Sequence, residues 1–286
     1  MDTNGHESES VGAGAGAGVT GRARLLARLN SCAFVSIRGF SLRTFTRSLW
    51  LAGELGLGLL KFVALIAAHA GMPDRITRTR WLQRVCVRLL RVFHVDLRVT
   101  GPVPSRGLLV CNHLSYLDIV VLGATMPCVF VSKREVRSWP VFGWFASLAG
   151  TLFLRRDSRT AAAHITIEIG RVLDTGALVV LFPEGTTSDG REVLPFKSSL
   201  LEPATRQPHG LSAACIDYTL PGGNVAEEVC YWRDMTLVPH LLNLLGKRRL
   251  EARLGLAELQ QPSADRKQLA RQLHSEVVRL KQALSA

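Results

Sequence analysis

The chain has 286 residues, 47% of them hydrophobic and 20% charged, and carries a formal net charge of +12. That apolar content buries a sizeable core in one large domain or a domain with appendages, which excludes disorder throughout. The positive balance fits nucleic acid, an anionic membrane surface or acidic substrates, and charge alone does not choose among them.

Residues 1 to 21 hold Gly12-Ala13-Gly14-Ala15-Gly16-Ala17-Gly18 among small and polar residues. Such a stretch cannot bury enough surface to offset its ordering entropy, so a disordered tail is expected. It lacks the charged start and apolar run of a secretory signal. Residues 22 to 94 read as a basic region with two membrane-associated helices, at about residues 49 to 70 and 76 to 93. The first is long enough to cross a bilayer, since a span needs about 20 residues. Its apolar residues contribute roughly 5 kcal/mol toward insertion, while the central Lys61 alone costs about 3. Glu54, Gly58 and Lys61 fall on one helical stripe, so a helix lying in the interface is as good a reading as a span. Arginines flank it on both sides, from Arg38, Arg43 and Arg47 to Arg75, Arg78 and Arg80, as expected where both ends face anionic lipid. In the second helix Trp81, Leu82, Val85, Leu89 and Val92 recur at helical spacing between arginines, as in a basic amphipathic helix.

From residue 95 onward short apolar runs alternate with helical segments: 108 to 111, 128 to 132, 150 to 154, 177 to 182 and 212 to 216. The alternation predicts an α/β layered domain over residues 95 to 286, closed by a helix with Leu269, Leu273, Val277, Leu280 and Leu284 on one stripe. The six cysteines show no C-x-x-C spacing, and no His/Cys cluster has zinc-finger spacing, so they read as reduced thiols and no metal is expected.

The most informative stretch is Asn112-His113-Leu114-Ser115-Tyr116-Leu117-Asp118. His113 follows a predicted strand, and Ser115 can cap a helix running on through Leu122. Within one regular helix the two side chains would point roughly 140° apart. Across a strand-to-helix turn, Asp118 can accept from one ring nitrogen of His113 while the other takes a proton. A second strand ends in Phe182-Pro183-Glu184-Gly185-Thr186-Thr187-Ser188-Asp189-Gly190, a polar turn whose freed backbone N–H groups can hold an anion. Glu184 would repel a phosphate and better suits accepting from a substrate hydroxyl or orienting an arginine. Between the two, Lys133, Arg155 and Arg156 bracket an apolar segment and can clamp a phosphate.

These three blocks, in this order, resemble the glycerolipid acyltransferase family that contains the 1-acylglycerol-3-phosphate acyltransferases. NHLSYLD matches the family's N-H-x-S-x-x-D block, SKREV through FLRR its second block, and FPEGTTSDG its F-P-E-G-T-x-S block, over about residues 80 to 240. A fourth block, expected near Leu211 to Ile216, lacks its usual proline. The resemblance implies a mixed sheet flanked by helices, preceded by a membrane-docking helix pair. It implies an O-acyltransferase that moves an acyl group from acyl-CoA or acyl carrier protein to a lysolipid hydroxyl, with His113 as general base and Asp118 holding its tautomer. Arg156, Glu184 and Gly185, with Lys133 and Thr186, would meet the acceptor's polar head. No cofactor beyond the acyl donor is implied, nor nucleic acid. Membrane lipids would be its surroundings, at the cytoplasmic face of the inner membrane.

The default acceptor is 1-acyl-sn-glycerol-3-phosphate. Glycerol-3-phosphate and lyso-ornithine lipid are the alternatives, and GTTSDG in place of the commoner GTRS removes an arginine suited to phosphate. Two rival readings compete. A serine hydrolase would use Ser212 in Gly210-Leu211-Ser212-Ala213-Ala214, although alanine stands where a nucleophile elbow has glycine. A non-catalytic basic membrane or nucleic-acid binder would rest on charge alone.

Overall fold

In this computed structural model, the residues described are 41–154, 159–206 and 210–285, all within one compact unit, Ser41–Ala286. The tail expected at residues 1 to 21 lies outside them. Seven strands make one sheet: β1 (Val95–Thr100), β2 (Gly107–Cys111), β3 (Val129–Lys133), β4 (Leu152–Leu154), β5 (Leu178–Leu181), β6 (Leu211–Thr219) and β7 (Leu250–Glu258), in the order β1-β7-β6-β2-β5-β3-β4. Every neighbouring pair is parallel except β6 and β7. β2 is buried along its whole length, and its side chains alternate between two cores. Leu109 and Cys111 join one, Leu108 and Val110 the other.

The first core is covered by α1 (Leu42–Ala68), α2 (Arg75–Val92), α3 (Leu117–Thr125) and α4 (Phe142–Ala149). The second is covered by α5 (Arg159–Asp174), the short α6 (Glu202–Arg206) and, beyond it, the C-terminal helix. The one-turn α7 (Val225–Glu228) leads into α8 (Leu237–Gly246), which joins the first layer, and the chain ends in α9 (Arg266–Ser285). The stripe Leu269, Leu273, Val277 and Leu280 of α9 is buried, as its spacing requires. β1 and β7 were not legible in the pattern. β7 is written in helix formers, Leu-Glu-Ala-Arg-Leu, and is a strand because its pairing with β1 and β6 puts Leu250, Ala252, Leu254 and Leu256 into the core.

The N-terminal helices depart from the expectation of two lipid-facing elements. The apolar stripe of α2, Trp81, Leu82, Val85, Leu89 and Val92, is turned into the core, with Trp81 stacked on Phe145 and edge-on to Phe62 of α1. Only α1 is long and apolar enough to cross a membrane among the described residues. Its inner stripe is locked down. Gly58 O accepts from Trp81 Nε1 at 2.9 Å, Phe62 is buried, and Glu54 pairs with Arg88 at 2.9 Å. At Gly58 a Cβ would lie 3.1 Å from Phe145 and 3.2 Å from Val85, closer than side chains usually pack, so a larger residue there asks one of them to shift. The opposite face of α1 leaves Leu42, Leu49, Leu57, Leu60 and Val63 exposed.

Several arginines read as lipid-facing have internal work. A helix ends with carbonyls that no intrahelical N–H reaches, and cations suit that end of the dipole. Arg78 donates to Leu148 O at 2.6 Å and Ser147 O at 2.7 Å, and Arg75 to Gly150 O at 3.2 Å, closing α4. Arg47, nearly buried, donates to Leu245 O at 3.1 Å and to Lys247 O, and Arg43 to Gly246 O at 3.3 Å, closing α8. Burial holds both Arg47 and Arg78 below the ordinary guanidinium pKa. Replacing Arg78 with Ala should cost about 2 kcal/mol, because charged hydrogen bonds to half-buried carbonyls are lost. Urea unfolding checks it, through a lowered midpoint at unchanged slope.

Candidate functional site

In an open parallel sheet, ligands bind at the carboxyl ends of the strands, where connections leave to opposite sides. Here β2 is that point, flanked by β6 on one side and β5 on the other. The turn after β2 runs into α3, and within it His113 Nδ1 lies 2.8 Å from Asp118 Oδ2. The same oxygen accepts from the Leu114 and Ser115 amides at 2.7 and 3.0 Å, and Tyr218 OH donates to Oδ1 at 2.7 Å. Asp118 is fully buried while His113 is 21% exposed. Four donors around one carboxyl group match the acceptor-only character of the carboxylate. Asp118 therefore accepts a hydrogen bond from Nδ1–H, the proton stays on the ring, and Nε2 is the ring atom left for an incoming group. Phe182, first residue of the second block, stacks on the imidazole with centroids 4.0 Å apart and an interplanar angle of 17°.

Ser115 does not cap α3 as expected. The cap position is Tyr116, the Ser115 hydroxyl is buried without a partner, and the reach-back is made by Asp118 instead. Asn112, the first residue of the motif, prolongs the β2–β6 pairing by side chain. Its Nδ2 donates to Ile216 O at 2.9 Å and its Oδ1 accepts from Ile216 N at 2.8 Å. Tyr218 and Asn112 thus fasten the turn to β6. Tyr116 OH lies 3.0 Å from His240 Nδ1, and His240 Nε2 lies 3.1 Å from Cys230 O. A carbonyl only accepts, so Nε2 carries the hydrogen and Tyr116 donates to Nδ1. Burial lowers the His240 pKa to about 4, which keeps this ring neutral.

The FPEGTTSDG loop follows β5 and closes on the same turn. Ser188 N donates to His113 O at 3.0 Å, and Gly185 takes φ 71°, which glycine adopts without strain. Thr186 is exposed on this loop and Gly185 half-buried. Glu184, which the family pattern puts on the acceptor's head, has both carboxyl oxygens sealed from solvent. Lys133 is exposed at the end of β3, two strands from β2 and about 10 Å across at ordinary strand spacing. Arg155 and Arg156 lie outside the described residues. Ser212 sits inside β6 opposite Leu109 and Glu258, not on a strand-to-helix elbow. Among the described residues no three His, Cys, Asp or Glu side chains come together as a metal site.

Beside the turn an apolar cavity of about 120 Å³ begins at Tyr116 and Ile119 and runs between Phe130, Phe142, Phe145 and Leu82. A larger, more polar cavity of about 660 Å³ lies at the opposite ends of the strands, lined by Pro102, Arg106, Gly176 and Glu258, away from His113.

Residues 92–218 match the family model described as Acyltransferase. A lyso-ornithine lipid O-acyltransferase from Pseudomonas aeruginosa is 36% identical over 82% of this chain and 92% of that protein. One from Rhodobacter capsulatus is 35% identical over 84% and 81%. A 1-acyl-sn-glycerol-3-phosphate acyltransferase from Neisseria meningitidis is 34% identical over 58% and 69%. The fold is similar to that of the crystal structure of the 1-acyl-sn-glycerophosphate acyltransferase from Thermotoga maritima, with a TM-score of 0.61 at 20% identity, covering 86% of this chain and 95% of that one.

Tyr218→Phe removes one donor from Asp118 and little volume. A lost charged hydrogen bond of about 1.5 to 3 kcal/mol should appear as a fall in kcat of about tenfold or more, with the acceptor KM nearly unchanged. Steady-state kinetics of the purified variant checks this.

Proposed function

The chain belongs to the acyltransferase family and is an O-acyltransferase, and we propose that it moves a fatty acyl group from acyl-CoA or acyl carrier protein to the free hydroxyl of a lyso-ornithine lipid. The single observation that carries the chemistry is the His113–Asp118 contact of 2.8 Å in the turn after β2. His113 Nε2 takes the proton of the acceptor hydroxyl as that oxygen attacks the thioester carbonyl. The tetrahedral centre collapses, the C–S bond breaks, and the imidazolium returns its proton to the leaving thiolate. The products are an ester and a free thiol. Asp118 fixes the tautomer and stabilises the imidazolium, and no covalent acyl-enzyme is needed because the thioester is already activated.

The acceptor reading moves from 1-acyl-sn-glycerol-3-phosphate to a lyso-ornithine lipid on two grounds. The relatives named for lyso-ornithine lipid align over 82% and 84% of this chain, against 58% for the Neisseria phosphate-lipid enzyme. Thr187 also stands where the GTRS pattern carries an arginine. Gly185 and Thr186 on the loop, with Lys133 and Arg156, are the proposed contacts to the acceptor's head. The apolar cavity beginning at Tyr116 is the proposed place of the acyl chain, three residues along from the base.

For attachment we assign the outer face of α1 to the bilayer. Its inner stripe is committed to Trp81, Phe145 and Arg88, so α1 lies along the interface as part of the folded unit and does not cross the bilayer alone. α2 supplies the exposed Arg80, Arg84 and Arg91 on its outer stripe, suited to anionic headgroups at the cytoplasmic face.

One assay tests the reaction: purified protein with acyl-CoA or acyl carrier protein and a panel of lysolipids. A lyso-ornithine lipid should give the highest kcat/KM, and His113→Ala should lower kcat by about 10²- to 10⁴-fold. A higher kcat/KM for 1-acyl-sn-glycerol-3-phosphate would overturn the acceptor, and unimpaired transfer by His113→Ala would overturn the mechanism. The docking face has its own test. Leu57→Glu with Leu60→Glu puts two charges into the bilayer, at about 1 to 3 kcal/mol each, and should weaken vesicle co-sedimentation at least tenfold without altering unfolding.

A further inference from the structure

Glu184 is 3% exposed, and neither of its carboxyl oxygens makes a well-formed hydrogen bond with protein. The main-chain amides of His113 and Leu194 face it. In the next peptide unit, His113 O accepts from Ser188 N, four residues after Glu184 in the same loop. The loop after β5 therefore addresses both main-chain polar groups of His113, the oxygen through Ser188 and the nitrogen through Glu184. A substrate hydroxyl cannot reach oxygens that expose essentially no surface. We propose that Glu184 is a positioning residue that holds the main chain of His113, tying the turn after β2 to the loop at Leu194, and that it does not touch the acceptor.

The charged and titratable groups facing it are Asp118 of α3, Lys281 of α9, and the thiols of Cys111 in β2 and Cys215 in β6. Burial raises the Glu184 pKa to about 8. The amides of His113 and Leu194 work against that rise, the Asp118 charge adds to it, and Lys281 opposes it. At neutral pH the brace is the neutral acid. Ionising it places a second negative charge beside Asp118, under the base. The sign follows from linkage. A carboxyl whose folded pKa exceeds its unfolded value binds a proton on folding, so the folded state loses stability as pH rises from about 4.5 through about 8.

This inference rests on the acyl-transfer reading of the site, and its test separates the two. Glu184→Gln and Glu184→Ala are compared with the wild-type full chain in acyl-CoA-dependent transfer to the best lysolipid of the panel, from pH 6 to 9.5. Glu184→Ala should lose about 10- to 100-fold in kcat with acceptor KM within about twofold. Glu184→Gln should retain most of kcat and lack the decline that the wild type shows above about pH 8. A tenfold rise in acceptor KM at unchanged kcat in either variant would instead make Glu184 an acceptor contact and overturn the proposal. So would an alkaline decline in Glu184→Gln equal to that of the wild type. Wild-type protein inactive on every acceptor would count against the transferase reading, and thermal unfolding would then test Glu184 alone. The melting temperature of Glu184→Gln should gain on the wild type between pH 5 and pH 9, and a pH-independent difference overturns the brace.

Discussion

A carboxylate taken fully out of water must have its oxygens met by donors, and Asp118 is where this requirement organises the molecule. Its donors come from three places: the imidazole of His113, the amides of Leu114 and Ser115, and the hydroxyl of Tyr218. Tyr218 reaches it only if β6 lies beside β2, and Asn112 locks that neighbourhood by pairing with Ile216. The imidazole of His113 is thus held by the sheet order itself. A side chain on a mobile loop would reach the same geometry only part of the time, and the rate would fall with that fraction.

How much of this is legible in the residues depends on how local the cause is. The turn carrying His113 and Asp118 is written in seven consecutive letters, with an apolar run before and a helical period after. The faces of α9 and the strands around residues 107 to 111 and 178 to 181 follow from spacing alone. Tyr218 is another matter. It stands 100 residues beyond Asp118 in an apolar strand, and nothing near it distinguishes a hydroxyl with a carboxylate partner from an ordinary core aromatic. Glu184 was visible as a motif residue, but the direction of its side chain depends on the Gly185 turn and on a loop that Lys281 of α9 holds at Gly190 O. The antiparallel pair of β6 and β7 escaped for the same reason, because pairing partners and not local propensity decide a strand such as β7.

The basic balance also divides in a way that composition conceals. Arg43, Arg47, Arg75 and Arg78 serve the carbonyl ends of α8 and α4, and Arg88 neutralises Glu54 within the α1–α2 contact. These charges are structural parts of the domain. A reading of the N-terminal region as a basic sleeve around a membrane helix overlooks them, since an arginine beside an apolar run looks the same whether it reaches lipid or a helix end. Among the described residues of this region, what remains for a surface is the outer stripe of α2 and the apolar face of α1.

Under the docking proposed above, the two-sidedness of α1 has a kinetic meaning. A protein held by one helix face at a fixed depth searches for its acceptor in two dimensions. The quantity that governs its encounter rate is then the mole fraction of lysolipid in the layer, not the amount per volume of solution. Inert lipid acts on such an enzyme as a diluent, even where it makes no contact with the site.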